Sequence, residues 1–156
     1  SALAQSASLL APRSIRTNLP PELPLVEVDA ALIERVLINL FDNAAKYTPT
    51  SAAITVRAGT SGESIYLVVE DDGPGWTAGD PEALFEPFVR GQKESATAGV
   101  GLGLALCRSI ILAHGGTIRA EARKPHGATF EIRLPLGAPP EIESEIVHDQ
   151  AAHPDR

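Results

Sequence analysis

The sequence predicts an α+β two-layer sandwich, a mostly antiparallel mixed β-sheet packed on one face by helices. Three features of the 156-residue chain predict it. Short alternating segments come in adjacent pairs joined by turn residues, the chemistry of hairpins and not the strand–helix–strand rhythm of a parallel sheet. Two long segments repeat apolar residues at helical spacing. A long stretch rich in glycine, proline and charge interrupts the second half, and such loops inside one domain are usually functional.

Taken in order, residues 1–13 are rich in alanine and serine and contain Pro12, so they are expected as a poorly ordered leader. Alternation over Ser14 to Leu19 predicts an edge strand stopped by Pro20-Pro21, and Leu25 to Val28 predicts a second short strand. Asp29 is a good N-cap. Behind it Leu32/Ile33, Val36/Leu37, Leu40/Phe41 and Ala44 recur at helical spacing, giving a helix from about Ala30 to Lys46 that Thr48-Pro49 ends. Ala53 to Ala58 and Ile65 to Glu70 form a hairpin around Thr60-Ser61-Gly62. Asp71 to Ala98 is the long loop, with one helical turn near Pro81 to Leu84. From Gly101 to His114 the chain turns helical, with Leu102, Leu106, Ile110 and Ala113 as its apolar stripe and Gly115-Gly116 as its stop. Thr117 to Arg123 and Ala128 to Leu134 make the last hairpin. The domain proper is thus 14–136, followed by an acidic, flexible tail over 137–156.

Composition narrows the function classes. With 44% apolar residues the chain can build a core, and no apolar run reaches the roughly 18–20 residues that span a bilayer. The net charge of −7, without a basic stripe, argues against nucleic acid as a ligand. Any phosphate must be held locally. The single cysteine, Cys107, cannot form an internal disulfide and reads as core. Four histidines with one cysteine show no zinc-ligand spacing.

Four segments carry candidate chemistry. Asn39, Asn43 and Lys46 share one stripe of the first long helix, expected to face away from Val36 and Leu40. An amide oxygen is a hard neutral ligand suited to Mg²⁺, and a lysine neutralises phosphate; an ordinary solvated helix face has the same composition. Second, the apolar strand Val69-Glu70 runs into Asp71-Asp72-Gly73-Pro74-Gly75. There Asp71 can accept a hydrogen bond from an exocyclic amine and Gly73 and Gly75 let backbone pass a flat ring, although an Asp-Gly turn fits as well. Third, Gly99-Val100-Gly101-Leu102-Gly103-Leu104 opens the second long helix and exposes backbone N–H groups for an anion, or serves close helix packing. It matches neither a dinucleotide fingerprint nor a P-loop, which disfavours a dinucleotide-binding oxidoreductase. Last, Phe85 to Lys93 puts Phe88, Arg90 and Lys93 in the loop, where cations can meet phosphates and a phenylalanine can pin the loop to the core.

Together and in this order, Asn39 to Tyr47 (NLFDNAAKY), Asp71 to Gly75 (DDGPG), Phe85 to Phe88 (FEPF), Gly99 to Leu104 (GVGLGL) and Gly127 to Phe130 (GATF) resemble the N, G1, F, G2 and G3 boxes of the catalytic ATP-binding domain of bacterial sensor histidine kinases. The resemblance covers about residues 14–136. The run from Arg90 to Ala96 into GVGLGLALCRSI is most similar to the potassium-responsive members. The resemblance implies the Bergerat ATP-binding fold, with a long lid at about 76–98 and ATP and Mg²⁺ as cofactors. It places Asn43 on Mg²⁺, Asn39 and Lys46 near the phosphates, Tyr47 beside the nucleotide and Asp71 on adenine. Gly73 and Gly75 would lie beside the ring, Thr129 would reach adenine through water, and Gly99, Gly101 and Gly103 would shape the lid hinge. Two departures from the family pattern are Asp72, where asparagine is common, and Trp76, where an aliphatic residue is usual.

Related ATPases of the same fold place a water-activating glutamate where this chain has Asn39, and an amide is no general base. Transfer is therefore favoured over hydrolysis, and a nucleotide-sensing module without catalysis is the alternative. The histidines do not resemble an acceptor: His114 caps a helix end, His126 sits in a turn, and His148 and His153 lie in the tail. The resemblance implies an acceptor histidine on a separate dimerisation domain, a response regulator downstream, and a cytoplasmic position within an inner-membrane sensor.

Overall fold

The computed structural model describes residues 1–75, 79–86 and 103–137. Five strands form one sheet: β1 (Ser14–Asn18), β2 (Ala53–Ser61), β3 (Ser64–Asp71), β4 (Thr117–Ala122) and β5 (Ala128–Pro135). Their order is β1-β2-β3-β5-β4. The pairs β2–β3, β3–β5 and β4–β5 are antiparallel and β1–β2 is parallel. The parallel pair follows from connectivity, because a helical crossover separates β1 from β2, whereas short turns join β2 to β3 and β4 to β5.

That crossover helix is α3 (Ala30–Tyr47), one residue longer than its apolar period predicts. Asp29 caps it as expected, its side chain accepting from Leu32 N at 3.1 Å. Val36, Leu40, Phe41 and Ala44 are buried against Ile54, Val56, Val69, Phe130 and Ile132 on one face of the sheet. Burial of a side chain such as Leu40 or Phe41 contributes roughly 1.5–3 kcal/mol. The fourth helix, α4 (Gly103–Ala113), lies beside α3 and completes the helical layer. A 3-10 turn over Pro81–Phe85, capped by Asp80, carries the helical turn expected in the loop.

Four expectations change. The leader forms two helical turns, α1 (Ala2–Gln5) and α2 (Ala7–Leu10), which bury Ala2 and Leu10 against α3. Leu25 to Val28 forms no strand: Leu25 is 98% exposed, the prolines at 20, 21 and 24 remove ladder donors, and the chain is held instead by Val28 on the core and by Asp29 N donating to His114 Nε2 at 3.1 Å. The first hairpin turns at Gly62-Glu63, with Gly62 at φ 62, because the strands pair through Ser61↔Ser64. Helix α4 buries Leu104, Cys107, Ile110 and Ile111, while Leu106 is 40% exposed and Ala113 lies on the surface. That helix is apolar on nearly every side, so two stripes fit the same sequence and only packing selects one.

Arg13, at the end of the former leader, closes the other end of α3. Its Nη2 donates to Ala45 O at 2.8 Å and Thr48 O at 2.7 Å, and its Nε to Thr48 Oγ1 at 2.9 Å. A fixed cation thus satisfies the last carbonyls and meets the negative end of the helix dipole. Arg13→Ala is expected to lower stability by about 1–2 kcal/mol. Denaturant unfolding at pH 7 checks this, since a merely solvated arginine would leave the midpoint unmoved.

Candidate functional site

The site is built around the C-terminal half of α3, which packs against α4 on one side and the end of β3 on another. Asn43 is 7% exposed and buried with the core residues of α3. Asn39 turns toward α4, its Nδ2 donating to Cys107 Sγ at 3.6 Å. The amides therefore do not face away from Val36 and Leu40. Three residues along a helix is a rotation of about 300°, so each amide stands only about 60° from the buried stripe. This leaves Asn39 at the seam between α3 and α4 and Asn43 among the buried residues of α3. Lys46 stays on the same side of the helix, 3.8 Å from Asp42 Oδ2, and Tyr47 is half-buried at the helix end. Cys107 has no exposed surface and burial pushes its thiol up to about 11, so it is packing, as its sequence context predicts.

Asp71 ends β3 on the helix-facing side, 6% exposed. Desolvation raises its pKa, opposed by hydrogen bonds from the backbone N–H groups of Gly73 and Ala128; neighbouring Asp72 raises it further and Arg123 lowers it. A carboxylate buried with so little to neutralise it is a poor structural choice and a good acceptor for a ligand's N–H. Thr48, at the end of α3, is buried and lies against Gly73, where an added Cβ would come within 2.8 Å of Thr48 Cγ2. Gly75, at φ 68, passes so near β5 that its Cβ would stand 2.5 Å from Gly127 O. The glycines thus bring three backbone segments together beside Asp71. The carboxylate of Asp72, expected to add charge at the site, is engaged elsewhere, accepting from Ala53 N at 2.7 Å.

One expected residue lies on the wrong side. Thr129 pairs with Glu70 and its hydroxyl is 3.4 Å from Glu70 Oε2, on the sheet face opposite the helices. Ala128, which pairs with Asp71, holds the helix-facing position. A strand alternates sides every residue, so two neighbours cannot both reach the same ligand. The tertiary contacts also identify what the motifs missed: Arg123 donates to Asp71 O, His126 Nδ1 lies beside Gly73 O, and the Thr48 side chain lies against Gly73. Thr48 shows in the sequence only as a helix stop before Pro49, and Arg123 and His126 show only as neighbours of Gly127.

At the other border, Phe85 is buried edge-on to Phe130, with ring centroids 6.3 Å apart, and Arg108 of α4 lies 4.3 Å over its ring. Arg108 also donates to Glu82 and, at 3.0 Å, to Ile118 O. Phe85 therefore pins this loop to the core. Gly103 and Leu104 open α4. Phe88, Arg90, Lys93, Gly99, Val100, Gly101 and Leu102 lie outside the described residues, as does Trp76.

Among the described residues no group of three His, Cys, Asp or Glu side chains is placed to hold a metal ion. The donor set on α3, two neutral amides, fits a Mg²⁺ ion that arrives with phosphates and keeps its waters, and does not fit a resident metal cage. Among the same residues no helix is long and apolar enough to cross a membrane.

The fold and site define a nucleotide-binding domain of the type shared by kinases and ATPases built on a helix-covered mixed sheet. A family model described as histidine kinase-, DNA gyrase B- and HSP90-like ATPase matches residues 28–138, and the chain belongs to that family. Within it the chain is homologous to the ATP-binding domains of sensor histidine kinases. It is 50% identical over 129 residues to the sensor protein KdpD of Escherichia coli (strain K12), covering 83% of this chain and 14% of that protein. It is 41% identical over 124 residues to the adaptive-response sensory kinase SasA of Synechocystis sp. (strain ATCC 27184 / PCC 6803 / Kazusa), covering 79% and 32% respectively. Among solved structures it superposes on the mycobacterial sensor histidine kinase MprB with a TM-score of 0.72 and 28% identity, covering 86% of this chain and 90% of that one. The catalytic domain of histidine kinase ThkA gives the same TM-score and identity, covering 86% and 88%. The chain thus spans between 14% and 32% of these two curated relatives. The mixed open sheet with helices on one face is the fold expected of this family.

Proposed function

We propose that this chain holds Mg-ATP for transfer of the γ-phosphoryl group to a histidine on a separate dimerisation domain of a longer sensor kinase. In this reading Asp71 receives the exocyclic amine of adenine, Gly73 and Gly75 line the ring, and Tyr47 flanks it. Asn43 contributes an oxygen to Mg²⁺, while Asn39 and Lys46 face the phosphates with Arg90 and Lys93. The ion, when bound, neutralises charge on the phosphates and lowers the barrier to their transfer. The likeness to KdpD supports potassium or osmotic signalling, a response regulator as the next acceptor, and a cytoplasmic placement in a membrane-bound sensor.

The observation that carries transfer over hydrolysis is the position of Asn39. Its amide stands at the α3–α4 seam beside buried Cys107, and neither group takes a proton from water near neutral pH. The described histidines are poor acceptors. His114 is committed on both nitrogens, Nδ1 at 2.8 Å from Ile110 O and Nε2 accepting from Asp29 N. His126 uses Nδ1 on Gly73 O. During transfer the bond from Pγ to the β–γ bridging oxygen breaks, ADP leaves with that electron pair, and an N–P bond forms on the incoming imidazole.

The test is incubation of the chain with γ-labelled ATP and Mg²⁺, alone and with the dimerisation domain of a KdpD relative. Label is expected on the added domain and not on this chain. Acid-labile phosphate accumulating on the chain alone would refute the reading, and nucleotide binding without transfer to any added acceptor would favour a sensing module.

A further inference from the structure

We infer that Arg123 and His126, on the turn between β4 and β5, are positioning residues for recognition of the adenine base. They clamp the backbone that carries Asp71 from outside the site. The inference rests on the reading that Asp71 receives the adenine amine. Arg123 Nη1 donates to Asp71 O at 3.0 Å, and its Nε lies 3.8 Å from Glu70 Oε2, so one guanidinium grips two successive residues of β3. His126 Nδ1 lies 3.0 Å from Gly73 O. A carbonyl only accepts, so Nδ1 carries the proton. The turn itself is closed by Arg123 N donating to Gly127 O at 3.0 Å. Gly127, at φ 118, lies so close to the clamped segment that any side chain there would overlap Asp71 O.

The clamp answers a physical need. Past Asp71 the chain leaves the ladder with β5, and Gly73 and Gly75 give it wide freedom in φ and ψ. The carboxylate of Asp71 must nevertheless stay aimed at one point, because a misaligned hydrogen bond is weak. Its contact with Gly73 N, at 2.9 Å, orients the side chain only as well as that N–H is itself held. Arg123 fixes the peptide between residues 71 and 72, and His126 fixes the peptide between residues 73 and 74. Both peptides flanking the Asp71–Gly73 contact are therefore immobilised by donors from a different hairpin.

A base-positioning role makes a prediction that a structural role does not. With the full chain, dissociation constants are measured for ATP and for ITP, which carries a carbonyl where adenine has its amine. Arg123→Ala with His126→Ala is expected to raise the ATP constant about tenfold, to lower the ATP/ITP preference by the same factor, and to leave ITP binding and its Mg²⁺ dependence unchanged. His126→Asn, whose side-chain amide donates from nearly the position of Nδ1, is expected to keep the preference. Equal weakening of ATP and ITP, or an unchanged preference in the double variant, overturns the inference. Asp71→Ala is the control. If it too leaves the preference intact, the assignment of Asp71 has failed; if it abolishes the preference while the double variant retains it, only the clamp has.

Discussion

Asp71→Asn is expected to weaken ATP binding about a hundredfold, the loss of one well-aligned hydrogen bond to a charged acceptor. The substitution keeps shape and one carbonyl oxygen, but its NH₂ turns a donor toward donors, either Ala128 N–H or the base amine. Its effect on stability should run the other way with pH. Desolvation holds the Asp71 carboxyl above its ordinary range, so its favourable share of folding is present below that range and is lost as pH rises through the raised pKa. An uncharged asparagine has no such dependence. The melting temperature of the variant relative to the parent should therefore rise as the pH increases from about 4, the ordinary carboxyl range, toward neutrality. Calorimetric titration with ATP and melting curves across that interval measure both effects. Unchanged affinity would remove Asp71 from the site, and a parallel pH dependence of the two proteins would contradict the buried-carboxylate account.

Asn43→Ala should act at the opposite end of the nucleotide. With its oxygen on Mg²⁺, transfer to an added dimerisation domain is expected to slow by about a hundredfold, the usual scale for removing one group that stabilises developing charge. ATP affinity in EDTA should stay within about threefold of the parent, because base contacts are untouched. The parent should bind ATP more weakly when Mg²⁺ is removed, and the variant should not. Since Asn43 is buried, the variant should also lose about 1–2 kcal/mol of stability, so transfer is compared at a temperature where both proteins are folded. A variant that retains the full Mg²⁺ dependence would take Asn43 off the metal.

Much of this molecule is visible in its residues taken one segment at a time. The N-cap at Asp29, the apolar period of α3, the two hairpins and the stop at Gly115-Gly116 are local events, governed by backbone freedom and side-chain spacing within a few residues. The acid and glycines after β3 and the amides of α3 are legible for the same reason. The failures share a cause as well. The apolar stripe of α4 is ambiguous because nearly every side of that helix is apolar, and its contacts with α3 and the sheet decide between the alternatives. The leader reads as loose because alanine and serine carry little periodic signal, yet Leu10 finds a buried place and Arg13 a helix end to cap.

Thr129 shows the limit most sharply. A motif names residues in a row, and only pairing with β3 shows that alternate members face opposite sides of the sheet, with Ala128 and not Thr129 on the side of Asp71. Arg123 and His126 lie more than fifty residues along the chain from the carbonyls they grip, a separation across which a single sequence carries no pairing signal. The chemical groups available to this protein, and the helices and hairpins that carry them, were therefore determined locally by its sequence. Which of those groups share a face, and which are held still enough to recognise a base, was decided by strand register and helix packing, because those depend on contacts between residues far apart in the chain.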